Sequence, residues 1–509
     1  MDQSINDLMK REKAAWSDKT QWSALYDDAY ALARPQMNLQ NETKGAVKQA
    51  TVYDSTLQNS TVKLASLLQS TITPPFTEWA KLIPGPFLTE NRDEAIKKLE
   101  YISKAVFAAI GISSFDAAIG EFYLDYIIGT GAMLVLEGDD TNPLKFITVP
   151  IQQLALEEGP DSEIGGIFRR YKKPARTIRQ MWPDMEDSET IAKFENEDPG
   201  KSISIAEITY WDPEDSVWRY NVLLTSTGEG QQAERIVSRT YDTNPWIIGR
   251  WLKAAGEVFG RGPVLNALPD AKTCNMAKKL ELQNAALAIS GVWIARNNGV
   301  INGNTIRIVP GAVIPVLSTG GPQGSDLQRL DAGGDLNYSQ IIQKDLQQSI
   351  KDAMFDRSIP EQGAVRSASE WVIRGQQLQE AIGAPFSRMF HEVLRPLFNR
   401  MLAILTQKGI IDEIVVNGGT VNIQIIGPLA QSQALQEVES IMQWGSMSQQ
   451  LAGPEIWQAS AKVENIPQVL SESLGIPSQL LRSEKEKMEL AQAAQQAMAQ
   501  QQEGGEQPQ

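Results

Sequence analysis

The sequence predicts an α+β protein, and three observations predict it. Stretches with apolar residues at helical spacing occupy the first 130 residues and most of the chain after residue 262. A block from Met133 to about Tyr241 carries short β-prone runs separated by turn residues. A small β-rich insert, from Gly291 to about Asp335, interrupts the second helical region. At 509 residues the chain is long enough for roughly three folding units.

The first helix is expected to reach about Arg34. Trp16, Trp22, Leu25, Ala29 and Leu32 fall near helical spacing, and Pro35 ends it. A second spans about Tyr53 to Ser70 with Leu57, Val62, Leu64, Leu67 and Leu68 as its apolar positions, and Thr73-Pro74-Pro75 breaks it. Residues 91–130 read as two helices divided near Gly111 to Ser113. The β-prone runs that follow are AMLVLEG, LKFITVP, IGGIFRRY, SIAEITYW and WRYNVLL, with one helix interrupting at Ala175 to Trp182.

A long helix opens at Gly262-Pro263, with proline suited to a first turn, and runs to about Ile289. Pro269 inside it predicts a kink or a delayed start. The insert holds VWIA, TIRIV and AVIPV as strands. A helix from Asn337 to about Phe355 carries Ile342, Leu346 and Ile350 as one stripe. Ser358 to Arg366 reads as a loop. The longest helical tract, Ser367 to Gln407, should kink at Pro385 and Pro396. A strand at 421–427, helices at 429–451 and about 455–470, and a Gln/Ala-rich tail from Ser483 complete the order; the tail is expected to fray.

Charge and cysteine content exclude several classes. The formal net charge is -15, whereas a protein that grips phosphates carries a basic surface. An acidic wall suits DNA that must slide without sticking, as well as any acidic globular protein. The single cysteine, Cys274, rules out an internal disulfide and fits a reducing cytoplasm. The polar N-terminus does not read as a secretory signal, and the longest apolar region, Tyr126 to Leu136, is too short to span a bilayer.

Motif chemistry is sparse. No complete phosphate-binding loop exists for a nucleotide: Gly200-Lys201-Ser202 has Glu195 where the first glycine of such a loop would stand, and the glycine cluster Gly256 to Pro263 lacks the lysine, so Gly260, Gly262 and Pro263 read as a hinge before the long helix. One cysteine and one histidine cannot build a zinc site. His391 and Cys274 lie on helices, where packing explains them. Paired carboxylates, needed for glycosidase-like or two-metal hydrolysis, occur as Asp139-Asp140, Glu157-Glu158 and Asp212/Glu214/Asp215, each in an expected turn. Arg169-Arg170 with Lys172-Lys173 reads as a solvated strand end, and Lys278-Lys279 and Arg366 with Arg374 are scattered. These residues point to an acidic α+β protein with no cofactor, no metal and no catalytic site.

The succession of parts carries more. A mixed region, a long helix, a β-rich insert, a returning helix, a loop and a long kinked helix resemble the portal proteins, the head-to-tail connectors of tailed bacteriophages. Three strings are similar to the short-tailed branch: VYDSTLQNSTVKLASLLQSTITPPFTEWAKLIPGP at 52–86, FGRGPVLNALPDAKTCN at 259–275 and RSASEWVIR at 366–374. With the part order, the likeness covers about residues 10–480.

The resemblance implies a portal-type ring subunit. Residues 1–261 would be N-terminal helices and a mixed wing, 262–290 and 336–356 two stem helices, and 291–335 a clip. Residues 357–366 would form a tunnel loop, 367–428 a long kinked wing helix with its strand, 429–482 crown helices, and 483–509 the tail. The loop residues near DNA would include Arg357, Glu361, Gln362, Gly363 and Arg366. Lys272, Lys278, Lys279 and Glu281 would sit on the stem, facing channel or exterior, and Arg296, Asn297, Asn298 and Arg307 would lie on the clip's partner surface.

The implied assembly is a homo-oligomeric ring of about twelve subunits, head to tail. It would be made in the host cytoplasm and sit in the virion at the vertex between head and tail. Implied partners are the packaging motor (terminase), a tail adaptor, scaffold, capsid and internal core proteins, and double-stranded DNA held without sequence preference, with no membrane. The competing expectations are a carboxylate-dependent hydrolase, active as a monomer, or another phage tail or core protein.

Overall fold

The computed structural model describes residues 3–35, 52–85, 92–225, 233–290, 292–296, 313–316, 327–330, 336–356, 385–412, 421–426 and 428–453, with a few isolated positions beyond. It is a mixed helix and sheet fold. Four helices come first: α1 (Ile5–Ala33), α2 (Thr56–Ile72), α3 (Arg92–Gly111) and α4 (Phe115–Ile128), with strand β1 (Ala80–Pro84) between α2 and α3.

Helix α4 is the centre of the main core. Phe115, Ile119, Phe122, Tyr123, Tyr126, Ile127 and Ile128 are all fully buried, and only a narrow strip with Ala117 and Glu121 meets solvent, the pattern of an element largely enclosed by others. Against it packs a three-stranded sheet of β2 (Thr130–Glu137), β3 (Leu144–Thr148) and β9 (Trp246–Arg250), in order β3-β2-β9 and antiparallel throughout.

A second sheet is a five-stranded antiparallel meander, β4 (Leu154–Glu158), β5 (Ile164–Pro174), β6 (Ser202–Asp212), β7 (Val217–Leu224) and β8 (Glu234–Tyr241). The period of two along a strand divides its side chains between two cores. Ile203 and Ile205 of β6 join Tyr220, Val222 and Leu224 of β7 beneath α5 (Ala175–Met181) and α6 (Glu189–Glu197). Ala206, Ile208 and Tyr210 face the other way, onto Leu8 and Ala15 of α1. Helix α1, roughly 43 Å long at 1.5 Å per residue, reaches from that face to the main core, where Tyr26, Ala29, Tyr30 and Ala33 are buried. The Trp246 indole, donating to Thr209 Oγ1 at 2.9 Å, ties the two sheets together.

The second half returns to helices. Helix α7 (Pro263–Ser290) leads to a small sheet, β10 (Val292–Arg296), β11 (Val313–Val316) and β12 (Leu327–Leu330), and α8 (Leu336–Ala353) comes back. A helical stretch from Pro385 passes through one π-helical turn, Phe390–Leu394, into α9 (Arg395–Gln407). Strand β13 (Val421–Ile425) pairs with β1, and α10 (Pro428–Ala452) follows.

Several expectations need correction. Val62 and Leu67 of α2 are exposed; the buried stripe is Leu57, Ser60, Thr61, Leu64, Ala65, Leu68 and Ile72. On α8, Ile342 is exposed and the inward line is Gln343, Leu346, Ile350 and then Met354. Pro269 does not delay the start of α7, which begins at Pro263 and runs through it. Glu157 and Glu158 are strand residues of β4, and Arg169 and Arg170 lie mid-strand on β5, not at a solvated end. The run TIRIV lies outside the described residues. Among those described, β1, β4, β8, β9, β12 and α6 have no counterpart in the sequence reading.

Candidate functional site: a projecting helix pair and the seam at its root

The helix pair α7/α8 starts from a seam of glycines. Gly262 N–H donates to Ile128 O at 3.1 Å, and Gly260 N–H donates to Thr130 Oγ1 at 2.8 Å while its carbonyl accepts the Tyr26 hydroxyl at 3.0 Å. A Cβ on Gly262 would stand 1.9 Å from Ile127 O, one on Gly260 2.2 Å from Gly129 O, and one on Gly129 2.3 Å from Gly260 O. What these glycines supply is room for two backbones to touch. Beside the seam, Glu392 on the π-turn accepts from Arg250 N–H at 3.0 Å, from Arg250 Nη2 at 2.7 Å and from Arg388 Nη1 at 2.8 Å.

The first half of α7 is anchored in the main core by Val264, Ala267, Leu268, Ala271 and Cys274, and the last turns of α8 by Ile350 and Met354. Polar ties surround the anchor. Ser349 Oγ bonds Asp270 Oδ2 at 2.8 Å across the pair, Asn275 Oδ1 accepts the Tyr53 amide at 2.6 Å, and Gln347 Nε2 donates to Asp54 Oδ2 at 2.7 Å. Beyond Asn275 the character changes. Met276, Leu280, Leu282 and Ile289 of α7 and Ile341 and Ile342 of α8 are exposed. At about 100° per residue, Met276 and Leu280 share one face of α7 and Leu282 and Ile289 the opposite one.

The stem residues expected from sequence are found on this pair. Lys272 is bonded to Asp28 of α1 at 2.6 Å, Lys278 to Glu281 at 2.9 Å, and Lys279 Nζ lies 5.8 Å from the centre of the Tyr53 ring. Gly260, Gly262 and Pro263 form the seam and the first residue of α7. Arg296 ends β10. Pro385 is buried, its carbonyl accepting from Tyr126 at 3.3 Å, and Pro396 opens α9. Arg357, Glu361, Gln362, Gly363, Arg366, Asn297, Asn298 and Arg307 lie outside the described residues, as do residues 455–465 and the Gln-rich tail.

Two of the three carboxylate sets are engaged by cations. Arg11 holds Glu157 at 2.8 Å, Lys253 holds Glu158 at 3.1 Å, and Arg219 bridges Asp212, at 2.6 Å, and Asp215. The hydrogen bond from Lys253 keeps the Glu158 carboxyl below its ordinary range, and that from Arg219 does the same for Asp212. General acid catalysis asks for the opposite shift. The basic group on β5 is likewise absorbed: Arg169 pairs with buried Glu207 at 3.2 Å, and Arg170 with Glu12. His391 is exposed, edge-on to Phe390. Among the described residues no cluster of three His, Cys, Asp or Glu could hold a metal, and no single helix is long and apolar enough to cross a membrane.

Cys274 is buried, and desolvation pushes its thiol up to about 12. Because the thiolate is the nucleophile, native protein at neutral pH should release less than a tenth of its thiol to Ellman's reagent, with full reaction after denaturation. Ready labelling of the native chain would contradict this burial.

Sequence reasoning singled out Gly260 and Gly262 but missed their partner Gly129, and it missed the Arg250–Glu392 pair. The Gly-Thr-Gly at 129–131 was a usable signal for a close backbone approach. Nothing local announces an ion pair whose members are 142 residues apart.

Comparison with known proteins gives a consistent family. The model of the family described as bacteriophage head to tail connecting protein matches residues 6–481. The portal protein of Salmonella phage epsilon15 is 23% identical over 424 residues, covering 76% of this chain and 72% of that protein. Among solved structures, a chain from the virion of a native gene transfer agent particle is 14% identical with a TM-score of 0.35, covering 84% of this chain and 92% of its own. One from the neck of the empty particle, computed with C6 symmetry, is 12% identical with the same TM-score and coverage.

Proposed function

Since the chain belongs to the family of bacteriophage head to tail connecting proteins, it is a structural portal subunit of the capsid vertex, and we propose that its copies close into a ring whose channel conducts DNA during packaging and ejection. The observation that carries the ring is the projecting helix pair. A helix in a monomer keeps apolar residues on its covered side. Here α7 exposes Met276 and Leu280 on one face and Leu282 and Ile289 on the other. Two apolar faces on one projecting helix suit an element flanked by a neighbour on each side, as a head-to-tail ring of about twelve copies requires.

In this reading α7 and α8 are the stem. Strands β10–β12, within 291–335, are a clip that meets the packaging motor and later the tail adaptor, with Arg296, Asn297, Asn298 and Arg307 on its contact surface. Residues 357–366 are a tunnel loop near DNA, and 429–482 a crown towards scaffold and internal core proteins. Residues 1–261 and 367–428 build the wing. The chain works without a cofactor and without catalysing a reaction. Its net charge of -15 keeps the hold on phosphates weak, which suits a conduit.

Electron microscopy and light scattering of purified protein test this. Rings with an open centre are expected, at roughly twelve times the 56.2 kDa subunit mass. Leu282→Glu should abolish them while leaving the subunit's melting temperature within about 2 °C, because the side chain is exposed. A compact monomer or two-fold dimer of the unmodified protein would sink the reading.

A further inference from the structure

We propose that each subunit is joined to the next by a knob and a socket: Phe76 of one copy enters the cavity between α1, the end of β4 and the 256–261 loop of its neighbour. The proposal rests on the ring reading and adds to it the contact that closes the ring.

The knob is built for display. Phe76 is 92% exposed, the most exposed aromatic side chain among the described residues. Its φ is 59°, a backbone conformation that a bulky residue adopts only when its surroundings enforce it. Here they do. Pro74 and Pro75 stiffen the approach, and the Asp116 carboxylate at the start of α4 accepts the Phe76 amide. The Gln69 side chain, donating to Asp116 O at 2.8 Å, fixes the same corner from α2. A strained turn held rigid to keep an aromatic ring in water is accounted for when the ring is an anchor for another surface.

The socket is concave, aromatic and unfilled. Its volume is about 740 Å³, with Trp22, Leu156, Val258 and Phe259 among its walls and Arg11 and Arg261 at its rim. The Trp22 and Phe259 rings lie 5.8 Å apart and tilted by 49°, so a third ring has an edge-to-face partner on arrival. The rim cations are already neutralised, Arg11 by Glu157 and Arg261 by Glu257, which leaves neither guanidinium to be stranded by an apolar guest.

The chain cannot seat its own knob. Phe76 is tied to the first turn of α4, whereas Phe259 flanks the glycine that abuts Gly129, the residue capping the end of α4. The 14 residues of α4 hold them roughly 20 Å apart. A convex patch and its complement at opposite ends of one helix make a heterologous contact, the kind that closes by rotation.

The test places one cysteine beside the knob and one at the socket, Thr77→Cys with Gln21→Cys, in the full chain, and treats assembled rings with a short bismaleimide. Cys274 is buried and protonated and stays silent. A ladder of covalent multimers is expected, with each single variant remaining monomeric on a denaturing gel. Rings that form in the microscope yet give no ladder would overturn the proposal and leave the ring reading standing. Failure to form rings at all would remove the reading beneath it. A second variant separates display from folding. Phe76→Gly relieves the left-handed strain, so the subunit should melt at an equal or higher temperature while rings need at least about tenfold more protein to assemble. Ring formation at the unmodified concentration would reject the anchor, as would a docking of Phe76 onto capsid protein alone.

Discussion

Replacing Glu392 with alanine should destabilise the subunit by about 3–5 kcal/mol, the cost of leaving a buried cation without its partner. The Arg250 side chain is 5% exposed, and the Glu392 carboxylate takes its guanidinium and its backbone amide together. The site exists because of a local defect in the helix. Pro396 has no amide to give to the carbonyl of residue 392, and its ring would press on that carbonyl in a regular helix. The chain responds with a π-helical turn, Phe390–Leu394, in which Arg395 N–H reaches back to Phe390 O. Glu392 lies at the middle of that turn and bonds across to β9. Urea unfolding of the isolated subunit measures the loss. Arg250→Met combined with Glu392→Leu should recover more than half of it, since an apolar pair strands no charge. Arg388→Ala should change stability by less than about 1 kcal/mol, because Arg388 is a third exposed. A Glu392→Ala protein as stable as the original would show that the pair does not hold the π-turn to the sheet.

Gly262→Ala should be as damaging, by about 3 kcal/mol or more, and through a different cause. The added methyl group would meet the Ile127 carbonyl oxygen at 1.9 Å and the Ile127 and Ile128 carbonyl carbons at 2.6 Å each. All of these are backbone atoms of the central helix, which cannot swing aside as a side-chain end can. The expected result is aggregated or unassembled protein, with a melting temperature far below that of Gly409→Ala. At Gly409 a Cβ meets nothing within 4 Å, and only its φ of 69° resists the change. Equal behaviour of the two variants would mean that the seam yields.

The long helices and the mid-chain strands were legible because each repeats one period over enough residues to stand out. Several shorter elements were not. Trp246–Arg250 is buried from end to end, and a fully buried five-residue strand has no alternation to read. Glu189–Glu197 is mostly polar, with Ile191 the one fully buried apolar side chain among its described residues. Val62 and Ile342 illustrate a different blindness. An apolar residue at helical spacing reads as core, and the spacing carries no mark distinguishing a buried position from one left exposed on the finished subunit. Lys272 and Lys278 were identifiable as helix positions, but their partners Asp28 and Glu281 follow only from the packing of α1 against α7 and from the rotamer chosen along α7. The succession of elements, which depends on none of these details, carried the family resemblance.

Strand β13 pairs with β1 across the whole of the intervening fold, Ala80 opposite Ile425 and Pro84 opposite Val421. During translation β1 leaves the ribosome about 340 residues ahead of its partner. At about 5–20 residues per second the unpaired strand waits roughly 20–70 s. Its hydrogen-bonding edge is open for that interval, and closing a contact of such long range is slow even after release. Synthesis must therefore pass Ile425 before the edge of β1 can be sealed, and a chain that stops short of Val421 keeps it open.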